Sequence, residues 1–320
     1  MCTQNDLSSS SAVIDTPQVA DTQTVQAIVE IRSASGVRSV TRVSRRNFIA
    51  TLGIGTASTL GPAGCSSSTP PTPTTPPTTT PAPTSPPTTT TPPAPTPSVV
   101  DVLNFALNLE YLEASFYSYI ATGNGLSSAD LGANAGNTAG IAKVNFANAT
   151  VSVVAQALAA EELEHVRFLR ATISKIGGAP VSAPALNLAA MGAVTSDASF
   201  LMQARQLETV GVSAYAGGAQ YLTTNATALT YAAQILDTES QHEGNLRQLC
   251  IALGVSSPAV DGSDTPPSTT AVFNTSPTTG LNPVRTTSQV LQIVYAAAGK
   301  TGVSSGGFFP NGLNGTIKMS

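Results

Sequence analysis

The chain has 320 residues and a formal net charge of −4, with only 10% of residues charged, against about 25% in an ordinary soluble domain. Its lysines and arginines are scattered, so it has neither the basic face that nucleic acid requires nor a polybasic membrane patch. No run of 18 apolar residues occurs, which excludes a transmembrane helix of ordinary length. Three cysteines lie far apart, Cys2, Cys65 and Cys250, and make neither a disulfide framework nor a zinc knuckle.

Residues 1–43 show no sustained periodicity and are expected to be unstructured. Residues 44–65 differ. Ser44-Arg45-Arg46-Asn47-Phe48 precedes a weakly apolar stretch, Ile49 to Leu60, which ends in Gly61-Pro62-Ala63-Gly64-Cys65. This segment resembles a twin-arginine export signal, and its last three residues resemble a lipoprotein processing box with Cys65 as the lipidated residue. Pro62 departs from that pattern, standing where an aliphatic residue is usual. The resemblance implies export to the periplasm or cell surface, with membrane contact only through the lipid. A signal normally begins near the initiator, so translation is expected to start at Val37, Val40 or Val43. Residues 66–98 are almost only Ser, Thr, Pro and Ala. Such a segment cannot bury a core. As an extended stalk at ~3.1 Å per residue it would reach roughly 100 Å.

Beyond Pro97 the composition changes, and the spacing predicts an all-α domain over residues 99–254. The first helix is expected from Ser98 to Ala121, closed by Gly123, and the second from Lys143 to Ile176, closed by Gly177-Gly178. The third is expected from Ser196-Asp197 to Leu222, and the fourth from Ala226 to Leu253, closed by Gly254. Each carries apolar residues at three- and four-residue spacing and ends on recognisable caps. Four long helices imply a bundle, and the junction 177–195 is long enough to cross its length. Residues 255–320 form a C-terminal extension: a Ser/Thr/Pro-rich loop to residue 286, a short helix from Thr287 to Ala298, and a glycine-rich tail whose Phe308 and Phe309 are expected to dock on the bundle. Cys250 reads as a small buried residue late in the fourth helix.

The placement of acidic residues points to chemistry. Of nine glutamates, eight lie between residues 110 and 243, and both histidines lie there too. Each histidine follows a glutamate by three places, as Glu162-Leu163-Glu164-His165 and Glu239-Ser240-Gln241-His242. Residues i and i+3 share a helix face, so each pair can grip one ion. In the other two helices Glu110 precedes Tyr117 by seven places, and Glu208 precedes Tyr215 by seven, nearly two turns, so each tyrosine lies on the face of its glutamate. The order is a twofold repeat of helix pairs. Glu113, one turn from Glu110, is the alternative ligand, while Glu161 and Glu164 read as solvated residues or as supports for the ligands.

These motifs, with the segment LNFALNLEYLEASFY and the tail GGFFPNGLNG, resemble the ferritin-like superfamily, in particular its bacterial exported, desiccation-related branch, over residues 98–320. The resemblance implies a ferritin-like four-helix bundle with a long crossover, in which four glutamates and two histidines hold two Fe or Mn ions. Carried over, the ligands are Glu110, Glu162, His165, Glu208, Glu239 and His242, with the hydroxyls of Tyr117 and Tyr215 holding glutamates in place. A mixed carboxylate and imidazole set suits Fe or Mn. The expected activity is that of an oxidoreductase acting on peroxide or dioxygen in stress protection. The alternative is a non-enzymatic metal-binding or structural envelope protein.

Overall fold

The computed structural model describes residues 96–320 and the backbone of two strands nearer the N-terminus. The expected export signal, Cys65 and the linker up to residue 95 lie outside the described residues. The strands, β1 (Ala27–Arg32) and β2 (Arg38–Val43), pair antiparallel, with Ala27 opposite Val43 and Arg32 opposite Arg38. They fall within residues 1–43, where the sequence showed no element. The β-branched residues Ile28, Val29, Ile31, Val40, Thr41 and Val43 favour an extended backbone there.

Residues 88–320 form a separate unit. Its frame is four long helices: α1 (Val99–Thr122), α3 (Ala149–Lys175), α4 (Asp197–Gly218) and α5 (Ala226–Ala252). A four-residue helix, α2 (Ser128–Leu131), lies between the first two. α1 packs along α3 and α4 along α5, and the pairs meet through α1 against α4 and α3 against α5.

Capping sets the helix bounds. At α1, Ser98 accepts from the Asp101 backbone N–H while Asp101 accepts from that of Ser98, and Gly123 closes the helix at φ 83°. Glycine takes this left-handed conformation without a Cβ penalty. The second bundle helix starts at Ala149, six residues later than its apolar spacing suggested. Asp197 at the head of α4 accepts from the backbone N–H groups of Ala147 and Asn148 at 3.0 and 2.8 Å, and Val144 N–H is taken by Ile120 O. Those residues are therefore held as an extended lead-in. The third helix likewise ends at Gly218, and Ala219–Tyr221 tighten into a 3-10 turn.

α1 is buried on every face along its middle, from Val102 to Tyr117, its polar Asn104, Asn108, Glu110 and Glu113 included. α3 and α5 instead bury one stripe each. That of α3 runs Val151, Ala155, Leu158, Glu162, His165 and Leu169, and that of α5 runs Ala232, Ile235, Glu239, His242 and Leu246. The chemistry-bearing residues thus sit in the core stripe.

The junction after α3 returns beside the earlier one. β3 (Thr138–Ala139) and β4 (Leu186–Asn187) pair in parallel, and Leu186 and Leu188 enter the core. The C-terminal helix α6 (Thr287–Val294) is four residues shorter than expected. Ala296 turns to φ 54°, and the carbonyl of Val294 accepts from Phe308 N–H. Phe308 and Phe309 are buried in the main cluster with Phe105, Leu109 and Val290.

Three buried arginines fasten the loop 255–286 to the bundle. Arg205 of α4 pairs with Asp264 at 2.5 Å and donates to Ser257 Oγ and to the carbonyls of Ser257 and Pro258. Arg247 of α5 donates to the carbonyls of Thr265, Ala271 and Val272. Arg285 reaches back to Asp261, Ser213 Oγ and Thr209 O. A loop so poor in apolar residues cannot bury a core of its own; Arg205 and Arg247 satisfy its backbone carbonyls, and Arg285 ties it to α4.

Candidate metal centre

All six ligand candidates converge in the middle of the bundle. Glu110 comes from α1, Glu162 and His165 from α3, Glu208 from α4, and Glu239 and His242 from α5. The four carboxylates are fully buried, and His165 and His242 are 9% and 8% exposed. Glu110, Glu162, His165 and Glu239 each bring one ligand atom within 4.8 Å of the others, as do Glu162, Glu208, Glu239 and His242. The two groups share Glu162 and Glu239, one glutamate from each Glu-x-x-His motif. A pair of carboxylates common to two four-ligand groups is the geometry by which bridging carboxylates hold two ions side by side.

Both imidazoles aim Nδ1 at the carboxylates. His165 Nδ1 lies 3.0 Å from Glu162 Oε2 and 3.3 Å from both Glu110 Oε2 and Glu239 Oε1. His242 Nδ1 lies 2.9 Å from Glu162 Oε1 and 3.2 Å from Glu208 Oε2. One ring nitrogen cannot satisfy two or three carboxylates. Accordingly Glu110 Oε2, Glu162 Oε1 and both oxygens of Glu239 are buried without an aligned hydrogen-bond partner. Orphaned buried anions are costly, and a divalent cation at their focus would satisfy them. The residues present fit such ions.

The electrostatics without ions show the same tension. Burial first, then the fields of Glu162 and Glu208, hold the Glu239 carboxyl well above its ordinary range. Burial likewise raises Glu162, to about 7, despite hydrogen bonds to both histidines. Burial disfavours a charged His242, yet the bonds and fields of Glu162 and Glu208 push it up to about 12. His165 moves the same way under Glu110, Glu162 and Glu239. Protons and imidazolium charge thus partly neutralise the carboxylates.

Each tyrosine bonds a glutamate, but not the one on its own helix. Tyr117 donates to Glu208 Oε1 at 2.5 Å, and Tyr215 donates to Glu110 Oε1. The seven-residue spacing put each hydroxyl at the right level of the bundle, and the packing of α1 against α4 decides that the bonds cross. Glu110 is in a ligand group and Glu113 is not. Glu113 is nonetheless buried, and burial with the fields of Glu239 and Glu208 raises its carboxyl far above the ordinary range.

Two further residues touch the site. A Cβ at Gly211 would overlap Glu239 Oε2 and stand 3.4 Å from Glu113 Oε1, so a larger residue there would push the Glu239 carboxylate aside. A glycine inside an otherwise strong helix is the only sequence signal for this. Glu161 accepts from His242 Nε2–H at 2.7 Å while remaining half-exposed. Glu164 faces solvent and pairs with Arg167. Cys250 is buried, and burial lifts its thiol to about 11, which leaves it inert.

Residues 98–252 match the model of a family described as the ferritin-like domain, and the fold is ferritin-like. Among solved structures, a chain from Bacillus anthracis str. Ames, described as ferritin-like, diiron-carboxylate proteins, is similar at 17% identity. That likeness covers 47% of this chain and 94% of that chain, with a TM-score of 0.35. No curated protein matches the sequence. The class that fold and site define is a ferritin-like helical bundle with a buried Glu/His cluster that could bind metal and is compatible with a dinuclear site.

Proposed function

We propose that this chain is an exported ferritin-like protein that holds two Fe or Mn ions and acts as an oxidoreductase on peroxide or dioxygen in stress protection. The observation that carries the reading is the pair of four-ligand groups sharing Glu162 and Glu239. Bound there, such ions supply redox chemistry on an oxygen–oxygen bond. The chain's own contribution is positional and electrostatic. Glu110 with His165 would hold one ion, Glu208 with His242 the other, and Glu162 with Glu239 both. Tyr117 and Tyr215 keep Glu208 and Glu110 from rotating away. Burial of all four carboxylates keeps bulk water away from them.

The export part rests on Arg45-Arg46 and the apolar stretch that follows. The twin-arginine route carries folded proteins, so ions could be loaded before export, and lipid on Cys65 would tether the domain at the periplasmic or cell-surface side. A second reading, metal sequestration or an envelope role during drying without turnover, is favoured by that same sealing of the carboxylates. Metal content measured on protein purified after export tests the centre, with about two ions per chain expected. Peroxide and oxygen consumption, compared with a His165→Ala/His242→Ala variant, then separates the readings. Turnover lost in the variant supports an enzyme. Full occupancy without turnover supports sequestration, and turnover that survives loss of both histidines defeats the enzyme reading.

A further inference from the structure

The helix-pair repeat makes the two halves of the site comparable position by position. Glu162 corresponds to Glu239 and His165 to His242, so Glu161 corresponds to Thr238. The halves differ at that pair. His242 Nε2–H donates to the Glu161 carboxylate at 2.7 Å. His165 has salt-bridge neighbours only at Nδ1, and among the described residues no carboxylate lies in range of its Nε2. A cleft of about 200 Å³ between α3 and α5 is lined by Leu158, Glu161, Thr238, Gln241 and His242, so solvent reaches the outer edge of His242.

We propose that Glu161 makes the two ion positions inequivalent, the position at Glu208 and His242 being the one that fills first and holds tighter. This rests on the two-ion reading above. The chemistry is that of a carboxylate behind a ligating imidazole. Glu161 keeps the proton on Nε2, which leaves the Nδ1 lone pair aimed at the ion, and its charge makes the ring a stronger donor. His165, with no such partner, must set its tautomer by other means. The cleft adds a route, because an incoming cation meets the half-exposed Glu161 carboxylate before the sealed ligands. Glu161 acts through His242 and is a positioning residue.

Mn²⁺ binding to the full chain tests this. His165→Ala preserves the His242 position and His242→Ala preserves the other. The first should bind its single ion roughly 10- to 100-fold more tightly than the second, the usual effect of such a partner. Adding Glu161→Thr, the residue of the other half, should erase the advantage of His165→Ala and leave His242→Ala unchanged. Equal affinities, or an equal effect of Glu161→Thr in both backgrounds, would overturn the inference while leaving the two-ion reading intact. Should either histidine variant fail to fold, the unmodified protein crystallised with one equivalent of Mn²⁺ gives the answer by anomalous scattering. Density at Glu208 and His242 supports the inference, and equal density at both positions, or density at Glu110 and His165, refutes it. Absence of Mn²⁺ from the unmodified protein would remove the two-ion reading and this inference with it.

Discussion

Replacing Glu239 by glutamine takes one acidic group from the centre of the bundle with almost no change of shape. Both oxygens of Glu239 are buried without a hydrogen-bond partner, and a buried unsatisfied group costs about 1–3 kcal/mol, more if charged. Attraction to His165 Nδ1 at 3.3 Å offsets part of this. Glutamine removes the buried charge and offers the neighbouring carboxylates an N–H donor, so the metal-free Glu239→Gln protein should be more stable than the parent by about 1–3 kcal/mol. At roughly 2–4 °C per kcal/mol for a domain of this size, Tm rises by several degrees. The pH dependence has a definite sign. Burial and the fields of Glu162 and Glu208 raise the Glu239 carboxyl above its ordinary 4.5, so folding is penalised above that pH and not below it. The advantage of the variant should be present at neutral pH and fade as pH falls towards 4.5. Metal reverses the order. An ion at 100 times its Kd stabilises the parent by about 2.7 kcal/mol, and the variant, lacking one shared ligand, should lose most of that gain. Thermal and urea melts of chelator-stripped protein, with and without Mn²⁺, measure both effects. A metal-free variant that melts below the parent, or one that keeps the full metal-induced shift, would refute the reasoning.

Gly211→Ala should displace Glu239 and lower Mn²⁺ affinity roughly 10- to 100-fold, because the new Cβ overlaps Glu239 Oε2; calorimetric titration reads it. Tyr215→Phe should weaken metal binding by a similar mechanism, since Glu110 loses the hydroxyl that orients it, while the far-UV spectrum stays unchanged. Arg205→Ala leaves Asp264 buried and unpaired, which should cost about 3–5 kcal/mol in urea unfolding; Arg205→Met with Asp264→Leu should recover much of it. Hydrogen bonds from Arg285, opposed in part by burial, hold Asp261 below its ordinary 3.8. That contribution is complete above pH 3.8 and is lost as pH falls through the lower folded value, so acid should loosen the C-terminal extension, and Asp261→Asn should remove this step from an acid titration followed by proteolysis.

Much of the bundle was legible because its information is local. Ser98 with Asp101, Gly123, and the apolar spacing along α3 and α5 are read within a few residues, and they set the helices and most of their ends. Where a bound was misread, a distant group was responsible. Asp197 takes the N–H groups of Ala147 and Asn148 and so delays α3, and the docking of Phe308 shortens α6. The loop 255–286 looked featureless because what orders it is three arginines, two of them on other elements.

The sequence by itself determined that six candidate ligand side chains lie on the inward stripes of four helices, because an i, i+3 motif and a 3.6-residue repeat determine a side chain's face without reference to any partner. Only the tertiary structure decided which residues share. Glu162 and Glu239 enter both ligand groups, Tyr117 and Tyr215 cross to the opposite helix, and Glu161 rather than Glu164 backs a histidine. Those choices depend on the relative height and rotation of packed helices, which are set by contacts between residues far apart in the chain and leave no periodic mark along it.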